Sequence, residues 1–311
     1  MKHLLFIVLL IFSICVYSQN NPINTLELTN KSRIKTDLFK ITQTPKSRNY
    51  QNIKSLNIVA NYIKSELTKV CDSVIFQPYK VNGAIYKNVI GSIGMEHKKR
   101  IIIGAHYDVC GNQQGADDNA SGVVGLLELA RLLSKEQLKY RIDFVAYTLE
   151  EPPFFRTKQM GSYVHANYLH TNNIPVKGMI CIEMIGYYSQ KKGSQNYPIP
   201  EMTIEYGTIA DFITVVQSEK SGAFGKQIEL LMKKQQTIKT KSFQGSSLVA
   251  GVDFSDHLNY WNFNYPAVMI TNTAFYRNKN YHTQNDTIET LDIDKMSAVI
   301  EQLFLSIKKL K

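Results

Sequence analysis

Four short apolar runs, at 100–107, 141–149, 177–185 and 266–271, constrain the fold more than any other feature of this chain. Each is dominated by aliphatic and β-branched residues and is too short for a buried helix. Runs that are apolar at nearly every position belong to strands covered on both faces. Helical spacing recurs between them, at 120–133 and 161–170, and again after the last run at 292–308. Strands alternating with helices predict an α/β fold, a three-layer α/β/α sandwich around a mixed, mostly parallel central sheet. A chain of 311 residues suits one large domain of this kind.

Upstream, Leu56, Ala60, Ile63 and Leu67 mark an amphipathic helix within 47–70. Strands are expected at 73–81 and 86–93, with Asn82-Gly83 as a hairpin turn between them. The polar stretch 19–46 reads as an N-terminal arm, and 47–311 as the main domain. Within it, 186–251 loosens in pattern and reads as an insertion close to the functional rim, with helices at 209–217 and 224–234. Residues 1–18, MKHLLFIVLLIFSICVYS, have the charge, apolar core and small residues before Gln19 of a cleaved signal peptide. They predict a secreted or periplasmic protein. The run is short for a bilayer, and a retained anchor is the alternative reading. Ile14 stands where a lipoprotein at Cys15 would need a small residue. Cys71, Cys110 and Cys181 then remain, without zinc-finger spacing, and one disulfide among them is compatible with the sequence. The net charge of +10 is spread along the chain with no basic block alternating with aromatics, which argues against nucleic-acid binding.

The polar residues sit where the apolar runs end. Residues 104–122 read GAHYDVCGNQQGADDNASG and follow the first run, bringing His106, Asp108, Asp117 and Asp118 together. Imidazole and carboxylate at a strand end suit a cation of the zinc class, and Asp108, on the same side as His106, can orient its ring. Such a loop is also a common solvated turn, and its last residues also read as a helix start. The second run ends in Glu150-Glu151, stiffened by Pro152-Pro153. Adjacent strand residues point to opposite faces, so one can bind metal while its neighbour does another job. The third, within GMICIEMIGYY, keeps Glu183 in an apolar strand, where a carboxylate needs a metal or an ion-pair partner. After the fourth, RNKNYHTQNDT offers His282 on a loop. His106, Asp118, Glu151, Glu183 and His282 give two metals a His and a carboxylate each, with one carboxylate shared, in the pattern of two-metal hydrolases. Glu150 is left as general base.

This order of motifs, H-x-D, GADDNASG, EE, a strand Glu and YHT-x-x-DT, resembles the family M28 zinc metallopeptidases over roughly residues 50–310. The resemblance implies two zinc ions per chain. It implies that His106 and Glu183 hold one, Glu151 and His282 the other, and that Asp118 bridges them. Glu150 is then the base, Asp108 orients His106, Tyr281 is the candidate oxyanion donor, and the Asp118–Asn119 peptide is cis. Many secreted aminopeptidases of the family carry Asp where this chain has Glu183, and EEPPFFRT departs from the usual EE-x-G-L-x-G-S. The implied activity is hydrolysis of peptide substrates, as an aminopeptidase, since only Arg277 stands near the ligand loops to receive a substrate carboxylate. A one-zinc glutaminyl cyclase, a carboxypeptidase of the same family and a non-catalytic binding module are the competing readings. Ser255-Asp256-His257 is expected either to line the substrate pocket or to start an ordinary helix.

Overall fold

In the computed structural model, which describes residues 28–310, the four apolar runs hydrogen-bond side by side. In chain order the elements begin α1 (Lys31–Thr42), α2 (Ile53–Thr68), β1 (Ser73–Val81), β2 (Ala84–Ile93), β3 (Arg100–His106), α3 (Gly122–Leu133), β4 (Arg141–Tyr147) and α4 (Gly161–Thr171). They continue β5 (Val176–Glu183), α5 (Met202–Tyr206), β6 (Ile213–Gln217), α6 (Gly222–Gln235), β7 (Thr240–Gln244), α7 (His257–Asn262), β8 (Ala267–Thr271) and α8 (Ile293–Ile307). The strands form one sheet in the order β1-β2-β4-β3-β5-β8-β6-β7. β4, β3, β5 and β8 run parallel. The β1–β2 hairpin joins β4 antiparallel, and β6 meets β8 antiparallel with β7 parallel to β6. Asn82 and Gly83 both take positive φ, the two-residue turn that matches strand twist.

Alternation along the strands supplies both faces. Ile101, Ile103 and Ala105 of β3 join the larger core, which α1, α2, α3, α6 and α8 cover. Ile102, with Val145, Met179 and Met269, faces α4 and α7. The expected three layers are present. Among the described residues no helix is long and apolar enough to cross a membrane, and Cys71, Cys110 and Cys181 are all free thiols. The signal peptide expected at 1–18 lies outside the described residues.

Two segments differ from their sequence reading. Residues 31–42, read as part of a polar arm, form α1, capped by the Asn30 side chain accepting from the Arg33 amide at 2.9 Å. Only Ile34, Leu38 and Ile41 carry its apolar stripe, and all three are fully buried. The polar residues between them hid that stripe. Residues 213–217, expected to be helical, form β6 instead, with Val215 in one core and Val216 in the other. The run Ile213-Thr214-Val215-Val216 is β-branched throughout, and pairing with β8 decides its state. The 186–251 stretch therefore extends the sheet.

Arg131 of α3 ties the first three helices together. Its guanidinium donates to Asp37 of α1 at 2.6 Å, to Glu128 at 2.9 Å and to Glu66 of α2 at 2.9 Å. Removing one partner from a buried network leaves the others uncompensated. Arg131→Met is expected to cost about 3–5 kcal/mol in urea unfolding.

Beneath the opposite face, His165 Nδ1 lies 2.6 Å from the Tyr260 hydroxyl, and His257 Nε2 lies 2.8 Å from the Val252 carbonyl. Burial lowers both imidazoles to about 4. An unfolded His protonates near pH 6.5, so the unfolded chain binds more protons between roughly 6.5 and 4. Stability is lost as pH falls through that window, by about 2–3 kcal/mol per imidazole. Urea titrations from about pH 7 down to about 4.5 are expected to show a shallower loss for His257→Gln than for the wild type.

Candidate metal centre

The parallel run β4-β3-β5-β8 delivers four carboxyl-terminal strand ends to one rim, the usual ligand edge of such sheets. His106 ends β3 and Glu183 ends β5, while Glu150 and Glu151 follow β4 and His282 follows β8. His106 Nε2 lies 3.3 Å from Asp118 Oδ1 and 3.3 Å from Glu183 Oε2. His282 Nε2 lies 3.1 Å from Asp118 Oδ2 and 3.2 Å from Glu151 Oε2. Asp118 thus turns one oxygen to each imidazole. Glu150 Oε2 stands on the His106 side, 3.9 Å from Nε2.

Backbone geometry aims these side chains. Leu149, Met184 and His282 all take positive φ, which costs about 1–2 kcal/mol for a residue with a Cβ and turns the chain at the strand exits or at the ligand itself. The Asp118–Asn119 peptide is cis. Asp108 accepts from the amides of Glu150 at 3.2 Å and Glu151 at 3.1 Å, and one of its oxygens is 3.5 Å from His106 Nδ1. One carboxylate therefore holds the backbone of both Glu150 and Glu151 and stands beside the His106 ring. Glu183 is held by Ser255 Oγ at 2.6 Å and by Asn119 Nδ2 at 3.2 Å.

Several fixing residues were invisible in the sequence reading. Asp117 is not beside the imidazoles. Its carboxylate accepts from the Gly186 amide at 2.8 Å, Asn272 at 2.9 Å and Asn278 at 2.8 Å, tying together the exits of β5 and β8. Asp286, the acid of the DT pair, accepts from the amides of Asp117 at 2.8 Å and Asp118 at 3.0 Å. Burial and then Asp117 push it up to about 8. Arg48 is 1% exposed and donates to the carbonyls of Tyr107, Gln114 and Gly115. Gly115 takes positive φ, and a Cβ there would lie 2.2 Å from the Asp118 carbonyl. The DT pair was a visible signal for Asp286; nothing near Arg48 marked it.

Ser255-Asp256-His257 does not line the cavity at the site. Ser255 holds Glu183, while Asp256 and His257 are fully buried beneath it. Tyr281 does line the cavity, its ring stacked on His282 with centroids 3.7 Å apart. Burial, with Asp118 next, raises its phenol above the usual range, so it stays a donor. Arg277 instead donates to Gln195 and to the Phe212 carbonyl.

Charge decides what the site can hold. Asp108, Asp118, Glu150, Glu151 and Glu183 are all buried and face two imidazoles. Burial, then Asp118, lifts Glu151 to about 7, and burial lifts Glu150 well above its ordinary range. Burial lowers His106, yet Glu183 and Glu150 outweigh it and the net direction is up. Such carboxylates cost several kcal/mol each without countercharge, which a divalent cation would supply. Glu151 Oε1 has no hydrogen-bond partner. The nitrogen and oxygen donors fit zinc. His106, Asp118 and Glu183 converge as one set, and His282 Nε2 stands 3.1 Å from Asp118 and 3.2 Å from Glu151 on the other side.

A family model described as Peptidase family M28 matches residues 88–306. The chain is 42% identical over 309 residues to the uncharacterized protein YfbL of Escherichia coli (strain K12), covering 95% of each. It is 26% identical over 223 residues to a probable leucine aminopeptidase 1 of Trichophyton verrucosum (strain HKI 0517), covering 67% of this chain and 54% of that one. It thus spans about half the length of the fungal relative. Among solved structures, the LapA aminopeptidase of Legionella pneumophila is similar with a TM-score of 0.72 at 20% identity, over 92% of this chain and 74% of that one. The glutaminyl cyclase of Bacteroides thetaiotaomicron is similar with a TM-score of 0.70 at 20% identity, over 91% and 99%. At these identities the two structures show the fold alone.

Asp286→Ala removes the acceptor that holds both amides of the 117–118 pair. Zinc affinity is expected to fall about 10- to 100-fold with the far-ultraviolet circular dichroism unchanged, as read by titration against a competing chelator.

Proposed function

The chain belongs to peptidase family M28, and from that premise we propose that it is a di-zinc aminopeptidase removing a bulky apolar residue from the amino end of peptides. The observation that carries this reading is Asp118, whose two oxygens each face a different histidine, so that five donors fall into two sets sharing one carboxylate. His106, Glu183 and Asp118 would hold one zinc; His282, Glu151 and Asp118 the other. When bound, the pair supplies positive charge that acidifies a water and polarises a carbonyl.

The chain's own groups do the rest. Glu150, beside His106, takes the proton from the attacking water and hands it to the leaving amine. The Tyr281 phenol donates to the carbonyl oxygen as charge develops on it. From these residues a cavity of about 280 Å³ opens over β6 and β7, lined by Phe155, Phe212, Phe243, Phe254, Met269 and Phe275. Its apolar wall suits an aliphatic or aromatic side chain. Among the described residues no lysine or arginine lines it, so a peptide carboxylate finds no cationic partner from them, whereas the acidic rim attracts an ammonium. The expected signal peptide would carry the enzyme out of the cytoplasm.

Glu150→Gln is expected to lower kcat on a leucine anilide by about 10²- to 10⁴-fold while zinc content stays at two per chain. Full activity in this variant would remove Glu150 from the mechanism. Preferential cyclisation of a Gln-peptide with one zinc per chain would replace hydrolysis by the glutaminyl cyclase reading.

A further inference from the structure

Beside the His282 half of the centre lies a group that the two-set reading leaves unused. A sulfur, a carboxylate oxygen and an imidazole nitrogen from Cys110, Glu151 and His282 lie within 4.8 Å of one another. Donors sharing one tetrahedral ion stand about 3.5 Å apart, so small rotations would bring the three onto one cation. The surroundings point the same way. Glu151 is 4% exposed and its Oε1 has no hydrogen-bond partner.

Cys110 is half-buried and held in place from both sides. The Val109 amide before it donates to the Arg48 carbonyl at 3.2 Å. The Gly111 carbonyl after it accepts from Asn49 Nδ2 at 2.7 Å, and Gly111 takes positive φ, which turns the loop after Cys110. Arg48 also donates to the carbonyls of Tyr107, Gln114 and Gly115. The segment from His106 to Asp118 is therefore anchored on both sides of the thiol. Cys71 and Cys181 belong to no such group among the described residues.

We propose that Cys110 is a fourth protein ligand to the zinc held by Asp118, Glu151 and His282. This rests on the two-zinc reading and goes beyond it, because it makes the halves unequal. A thiolate on this zinc gives it a softer and more anionic donor set than the His106, Asp118 and Glu183 half, and zinc can still take a fifth position for water. Glu150 stands on the side of the half with nitrogen and oxygen donors alone, 3.9 Å from His106 Nε2. Binding releases the thiol proton to solvent and leaves a thiolate on the metal.

X-ray absorption at the zinc edge of the two-zinc protein tests this directly. The expected result is a sulfur shell at about 2.3 Å with an amplitude of one sulfur per two zinc ions. Cobalt-loaded protein is expected to show a sulfur-to-metal charge-transfer band in the near ultraviolet that Cys110→Ser abolishes and Cys71→Ser keeps. Cys110→Ser is further expected to weaken one of the two zinc ions about tenfold or more in chelator competition. Two zinc ions bound through nitrogen and oxygen alone, with the competition curve of Cys110→Ser unchanged, would overturn the proposal and leave the aminopeptidase reading intact. A single zinc, or none, would overturn both.

Discussion

Five buried carboxylates at one rim of a sheet are an electrostatic liability, and much of the molecule is arranged so that they stay together. Mutual repulsion would splay them into solvent if their backbones were free. Instead, Asp108 accepts from the amides that carry Glu150 and Glu151, and Asp286 accepts from the amides of Asp117 and Asp118. Asp117 draws in the exits of two strands, and Arg48 holds the intervening loop by its carbonyls. Acids thus stabilise the positions of other acids by accepting from main-chain N–H groups. Divalent charge completes an arrangement that the protein alone leaves frustrated.

The residues that meet at the rim were legible because they are conspicuous in the sequence. Glu183 interrupts an apolar strand, and His106 and the Glu150-Glu151 pair sit where apolar runs stop. Four parallel strands with polar ends need only lie side by side for their side chains to meet. The hydrophobic periods that marked α2, α3, α4 and α8 likewise came through, since each carries enough apolar residues to define a face. α1 carries only three fully buried apolar residues and is anchored by ion pairs with distant partners, which no local pattern encodes. β6 failed for a related reason: five β-branched or polar residues suit either state until a neighbouring strand is known.

The fixing residues were harder to read than the ligands. Arg48 looks like any surface cation in a segment read as an amphipathic helix, and its role depends on carbonyls about sixty residues away. Asp117 and Asp118 are adjacent and chemically alike, yet one reaches both imidazoles while the other ties down two strand exits. The family resemblance pointed to Asp118 as the acid between the imidazoles, but the task of Asp117 had no local signal, because it depends on Asn272, Asn278 and Gly186 arriving from elsewhere. Ser255 shows the converse, a residue offered either to the pocket or to a helix start; a helix does begin at His257, and Ser255 itself holds Glu183.

The reversal of direction between β8 and β6 has a further effect. Past β8 the rim receives strand beginnings in place of strand ends, with Thr214 of β6 opposite Thr271 of β8. No metal donor among the described residues comes from that side; it supplies Phe212, Val216 and Phe243 to the cavity wall. Part of the cavity wall therefore comes from a stretch of chain that supplies none of the rim's imidazoles or carboxylates. Substitutions in the β6–β7 region can reshape what fits without touching a coordinating atom, so a lineage can explore new diets while its reactive machinery stays constant.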